Sequence, residues 1–87
     1  MDVGSKTFDG VRFSAYADDH LPAHIHGKYA ETEVLVEFGD GEVRLSGRAE
    51  PIRPPNAKRS DVNKILKAAE KHGEELVKLW EMIHGAL

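Results

Sequence analysis

From Val11 to Tyr16 the chain alternates, with Val11, Phe13 and Ala15 on one side and Arg12, Ser14 and Tyr16 on the other. Side chains of a strand point to opposite faces with a period of two, so this pattern predicts a half-buried strand. Residues 17 to 22 break it with two aspartates and Pro22, which predicts a loop. Alternation resumes in "AHIHGKY", with Ala23, Ile25, Gly27 and Tyr29 set against His24, His26 and Lys28. It continues in "TEVLVEF", where Val34, Val36 and Phe38 oppose Glu33, Leu35 and Glu37, and in "EVRLS", where Val43 and Leu45 oppose Glu42, Arg44 and Ser46.

The turns between these runs set their register. Asp40-Gly41 is a strong hairpin signal, because glycine tolerates the positive φ of a tight two-residue turn. Such a turn places Phe38 opposite Val43, Glu37 opposite Arg44 and Val36 opposite Leu45. A two-residue turn at Ala30-Glu31 places Tyr29 opposite Thr32, Lys28 opposite Glu33, His26 opposite Leu35 and His24 opposite Glu37. Both registers keep the apolar set on one face, which a slip of one residue would destroy. Both also pair opposite charges across strands.

Residues 47–59, "GRAEPIRPPNAKR", contain Pro51, Pro54 and Pro55 and read as a crossover loop. Ser60 is a candidate N-cap, with Asp61 favourable in the first helical turn. Val62, Ile65, Ala69, Leu76, Trp80 and Ile83 then follow three-four spacing. The phase persists across Gly73, so one helix over about 61–84 is expected, with a break at residues 72 and 73 as the alternative. The expected fold class is α+β: an antiparallel sheet of three to four strands over about 8–46, then one long C-terminal helix packed on one face.

At 87 residues this is one domain with a modest core. The chain has no cysteine, which excludes a disulfide framework and thiolate metal ligation. "MDVGSKTFDG" lacks the apolar run of a signal peptide, and no stretch approaches the length that spans a bilayer. A cytoplasmic location with no membrane partner is therefore expected. The formal net charge of −3 argues against a general nucleic-acid binder.

"DDHLPAHIH", residues 18–26, resembles the Asp-His-x-Pro-Pro-His-Phe-His signature of the domain of unknown function 4160 (DUF4160) family. "FDGVRFSAY" before it, "GDGEVRLSG" after it and "ELVKLW" in the closing helix extend the resemblance over most of the chain. Ala23 stands where a second proline is usual, and the proline-rich insert is longer than expected. The resemblance implies a small prokaryotic protein, of a kind discussed in connection with toxin–antitoxin pairs and without an established activity. It points to Asp19, His20, Pro22, His24 and His26 as signature positions and assigns them no roles.

Three of the five histidines lie in that stretch. His24 and His26 are two apart on a strand and project together, with Cα atoms about 6.5–7 Å apart. With His20 and Asp19 they form a candidate site for a divalent metal such as zinc or manganese. The bland alternative is a polar turn whose carboxylates cap loop N–H groups. No helical His-x-x-x-His motif, phosphate-binding glycine loop or marked nucleophile is present. On the face opposite the core, Tyr16, His24, His26, Leu35, Glu37 and Arg44 form a candidate surface for a protein partner or self-association. Nucleic acid is the less favoured partner. The expected function is a small binding or regulatory module, with no catalytic residues assigned. A metal-dependent hydrolase or nuclease using His20, His24, His26 and nearby carboxylates is the alternative.

Overall fold

The computed structural model describes residues 3–39, 42–48 and 50–85. Among them the strands are β1 (Val3–Phe8), β2 (Val11–Tyr16), β3 (His24–Tyr29), β4 (Thr32–Gly39), β5 (Glu42–Leu45) and β6 (Ile52–Arg53). Two helices follow, α1 (Arg59–Lys71) and α2 (Gly73–His84). The architecture is an antiparallel sheet with its helices on one face. It is wider than the three to four strands expected, and it carries two helices rather than one.

The sheet order is β1-β2-β3-β4-β5, with β6 pairing β4. Both registers set by the turns are present. Lys28 faces Glu33, His26 faces Leu35 and His24 faces Glu37. Glu37 faces Arg44, and Phe38 faces Val43. The Asp40-Gly41 turn itself lies outside the described residues. Ala30, with φ +55°, takes the left-handed conformation at the other turn.

The additional strands have identifiable origins. β1 joins β2 through a two-residue turn with Phe8 opposite Val11, Asp9 at φ +53° and Gly10 at φ +80°. Asp9-Gly10 is the same signal as Asp40-Gly41, but "VGSKTF" has little apolar alternation to mark the strand before it. β6 lies inside the segment expected to be loop. It pairs Ile52 with Val34 and Arg53 with Glu33, extending the sheet edge alongside β5. Leu45 remains 39% exposed at that edge.

The helical break is at His72, whose φ of −112° and ψ of 28° separate α1 from α2. A single helix is about 10 Å wide, whereas five strands span about 19 Å. α1 packs on β3, β4 and β5, while α2 packs on β1 and β2, so the change of direction covers both halves of the sheet. His72 anchors the junction by stacking on Phe8, ring centroids 4.3 Å apart, and by placing Nε2 3.2 Å from Asp9. α1 also starts earlier than expected. Its N-cap is Lys58, without a side-chain cap bond, and Ser60 is already helical.

Val11, Phe13, Ile25, Val34 and Val36 meet Ile65, Leu76, Leu79 and Trp80 between the layers, all essentially without exposure. The approach is closest at Gly27, where a Cβ would stand 2.6 Å from Ile65 Cγ2 and 3.0 Å from Phe13 Cε1. No described helix is long and apolar enough to cross a membrane.

Candidate metal centre

The site forms where β2 ends and β3 begins. Residues 17–23 connect them, and the loop is fastened at Tyr16. The Tyr16 N–H donates to Asp19 Oδ2 at 3.1 Å, and the Asp19 N–H donates to the Tyr16 carbonyl at 3.1 Å. Aspartate favours such turns because its short carboxylate reaches nearby backbone N–H groups. The closure turns Asp19 back over the strands, where its side chain is only 13% exposed. Leu21–Pro22 within the loop is a cis peptide.

Asp19 meets two imidazoles. Its Oδ1 is 3.5 Å from His24 Nε2, and its Oδ2 is 3.3 Å from His26 Nε2. One ligand atom from each of Asp19, His24 and His26 lies within 4.8 Å of the other two. Each imidazole is held from behind. His24 Nδ1 is 2.9 Å from the Pro22 carbonyl, which can only accept, so Nδ1 carries a proton and donates it. His26 Nδ1 is 3.1 Å from Glu33 Oε2, again an acceptor. Pro22 sets the His24 tautomer, whereas His26 has a carboxylate at each ring nitrogen; with His26 protonated at Nδ1, both Nε2 lone pairs face the Asp19 carboxylate. In that arrangement three acceptors converge on one point, which makes the cluster a candidate cation site.

The spacing fits a metal. Two donors each about 2.0–2.1 Å from a tetrahedral zinc lie roughly 3.3 Å apart; the two Asp19–histidine separations are close to this, and all three ligand atoms lie within 4.8 Å of one another. An imidazole oriented by a carbonyl or carboxylate on its second nitrogen is the usual outer environment of a metal-ligating histidine. Aromatic rings wall the site. Tyr16 meets His26 edge-on at 4.8 Å, and Trp80 lies 5.6 Å from His24.

Not every candidate residue joins. His20 is exposed, and its carbonyl accepts a 2.8 Å bond from Arg48 Nη2. Its side chain is not part of the triad. Glu37 faces His24 in register but does not bond it. Its carboxylate accepts instead from the Ser46 hydroxyl and from the Gly47 N–H at 3.2 Å. His24 has already committed Nδ1 to Pro22.

The face expected to be open is largely covered. His24, Leu35 and Glu37 are 3%, 6% and 9% exposed, Tyr16 and His26 are half-buried, and Arg44 alone of the six is exposed. The reason is that two segments fold over it. Residues 17–23 bring Asp19 onto the histidines, and residues 46–48 reach Glu37 and His20. His24 also touches α2 through Trp80 rather than pointing away from the helices.

Two contributors were not anticipated. His84 stacks on Trp80 at 3.8 Å and donates from Nε2 to the Tyr16 carbonyl at 2.8 Å, tying α2 to the loop that carries Asp19. Its signal is the four-residue spacing from Trp80, which places both on one helix face. Glu33 is the diagonal cross-strand neighbour of His26, within reach of a long side chain.

Residues 10–81 match the family described as domain of unknown function (DUF4160). The chain belongs to that family. No curated protein and no solved structure matches it. The DUF4160 assignment covers the triad and most of both helices, and it brings no activity with it.

Proposed function

We propose that this DUF4160 protein is a small binding and regulatory module whose ligand-facing element is a divalent-metal site made by Asp19, His24 and His26. One observation carries the reading: a carboxylate and two imidazole Nε2 atoms converge, while both Nδ1 atoms are engaged by acceptors. Two nitrogens and one oxygen suit Zn²⁺, Mn²⁺ or Fe²⁺. The resemblance supports a prokaryotic, cytoplasmic setting with a protein partner, as in a toxin–antitoxin pair.

A second reading, metal-dependent hydrolysis of a phosphodiester or similar bond, draws on the ligand count. Structural zinc sites usually have four protein ligands, whereas catalytic ones have three and leave a position for water. His24 and His26 would orient the ion, Asp19 would neutralise part of its charge, and Glu33 would fix the His26 ring.

The chain has one tryptophan, Trp80, beside His24, so its fluorescence reports on the site. Untagged protein titrated with Co²⁺ or Zn²⁺ is expected to bind one ion, with a Trp80 fluorescence change and a rise in Tm. An ion at one hundred times its Kd stabilises by about 2.7 kcal/mol. Asp19→Asn and His26→Ala should each abolish the response while remaining folded. A parent protein that takes up no ion and shows no Tm shift would assign the cationic role to protons. Nuclease assays with the loaded protein separate the two readings.

A further inference from the structure

The acidic net charge conceals a strong segregation. Residues 58–71 hold five basic and two acidic side chains, a net of +3, against −6 for the remainder. Nearly all of these basic groups belong to α1. Lys64, Lys67 and Lys71 are exposed and recur at helical spacing, so they form one line about 10 Å long. They line a shallow groove with Ser60, Asn63 and, at one end, the carboxylate of Asp9. Two of them are tethered at its sides: Lys64 Nζ sits 5.0 Å over the Tyr29 ring, and Lys71 Nζ is 3.9 Å from Asp9. A second groove shares Asn63 and runs along the other flank of α1, lined by Ile52, Pro55, Ala57 and Arg59. Both grooves lie apart from the triad: Asp9 lies in the β1–β2 turn and Tyr29 ends β3, at the opposite end of β2 and β3 from the site.

From this pairing we infer that α1 binds single-stranded nucleic acid, with backbone phosphates along Lys64, Lys67 and Lys71 and a base or sugar in the groove beyond Asn63. A protein partner fits poorly. Protein interfaces are depleted in lysine and built around an apolar core, whereas the lysine groove offers only Ala68, which is itself buried. A phosphodiester chain needs regularly spaced cations, and three are present. A duplex keeps its bases stacked inside and offers nothing to the second groove, whereas a single strand exposes both phosphate and base. The remainder of the chain carries a net −6, which disfavours a polyanion there and favours contact at α1.

The test is anisotropy of a short labelled single-stranded RNA, with single-stranded DNA and duplex DNA of the same sequence as further arms. The full chain should bind both single strands more tightly than the duplex. Three phosphate contacts imply that log K falls with log salt with a slope of about −2. The triple variant Lys64→Gln, Lys67→Gln, Lys71→Gln keeps good helix formers, and circular dichroism verifies its fold. It should bind about tenfold more weakly at low salt and lose that slope. A matched variant, Lys6→Gln, Lys28→Gln, Lys78→Gln, removes the same charge elsewhere and should change affinity less than twofold. The inference is overturned if the parent binds none of the three nucleic acids, if both variants lose affinity equally, or if the duplex binds as well as the single strands. Polyglutamate competing as well as RNA would also overturn it, because the surface would then attract any polyanion.

Discussion

Gly27→Ala tests the contact that seats α1 on the sheet. A methyl at this position would stand 2.6 Å from Ile65 Cγ2 and 3.0 Å from Phe13 Cε1. Carbon atoms pack best about 3.5–4.0 Å apart, so the shortfall against Ile65 is roughly 1 Å. Neither neighbour can easily yield, since Ile65 and Phe13 are both 0% exposed within the core. Overpacking of this kind costs about 1–3 kcal/mol. Removing glycine from a strand interior returns roughly 0.5–1 kcal/mol through lower unfolded-state entropy. The expected net loss is therefore about 1–2 kcal/mol, read from urea denaturation followed by Trp80 fluorescence. A double-mutant cycle locates the cause. Ile65→Ala alone should cost about 2–5 kcal/mol, but it removes the Cγ2 atom that the new methyl would meet. Gly27→Ala in that background should be neutral or stabilising, giving a coupling of about 1 kcal/mol or more. A Gly27→Ala protein as stable as the parent, or single effects additive to within about 0.5 kcal/mol, would refute the close approach.

Trp80→Ala should cost about 3–5 kcal/mol, as expected for a buried aromatic with stacked partners, and far-ultraviolet circular dichroism through a urea titration would measure it. Gly10→Ala places a Cβ residue at φ +80° in the β1–β2 turn and should cost about 1–2 kcal/mol in the same titration, although the new methyl would meet only Tyr29 Cε1, at an ordinary 3.9 Å.

Much of the sheet was legible because its constraints are local. Asp40-Gly41 and the alternation around it leave one register that buries Val36 and Phe38, and the β4–β5 pairing follows it. β1 was not legible from its own residues. "GSKT" has no apolar alternation, and the strand exists because Asp9-Gly10 folds it back onto β2. The helical break was masked because one non-helical residue at His72 hardly disturbs a three-four pattern. The need for it arises from the width of the sheet, which is a tertiary fact. The triad was partly legible. Two-residue spacing joins His24 and His26, but Asp19 is selected over His20 by the hydrogen bonds that close the loop onto Tyr16. Burial of Leu35 and Glu37 depends on residues 46–48 folding back, and no periodicity encodes that.

The position of the triad links its chemistry to the integrity of the loop. β2 ends at Tyr16 and β3 starts at His24, with the Ala23 carbonyl still accepting from the Phe38 N–H, so residues 17–22 lie beyond the ladder. Side chains take over there: Asp19 at Tyr16, His24 at Pro22, His84 at the Tyr16 carbonyl and Arg48 at the His20 carbonyl. Most of these contacts are indifferent to what the site holds. The contacts between Asp19 and the imidazoles are not. With both Nε2 atoms unprotonated and no ion present, a carboxylate faces two lone pairs at 3.3–3.5 Å, which is repulsive in a half-buried setting. A cation converts the same geometry into attraction on all three sides. On the proposed function, a bound cation would hold the loop in this closed position, keeping Asp19, and with it the Tyr16 carbonyl that His84 grips, against β3. The Asp19 N–H and His84 Nε2 both donate to the Tyr16 carbonyl, so on the proposed function an occupied site and the seating of the C-terminal helix share one acceptor.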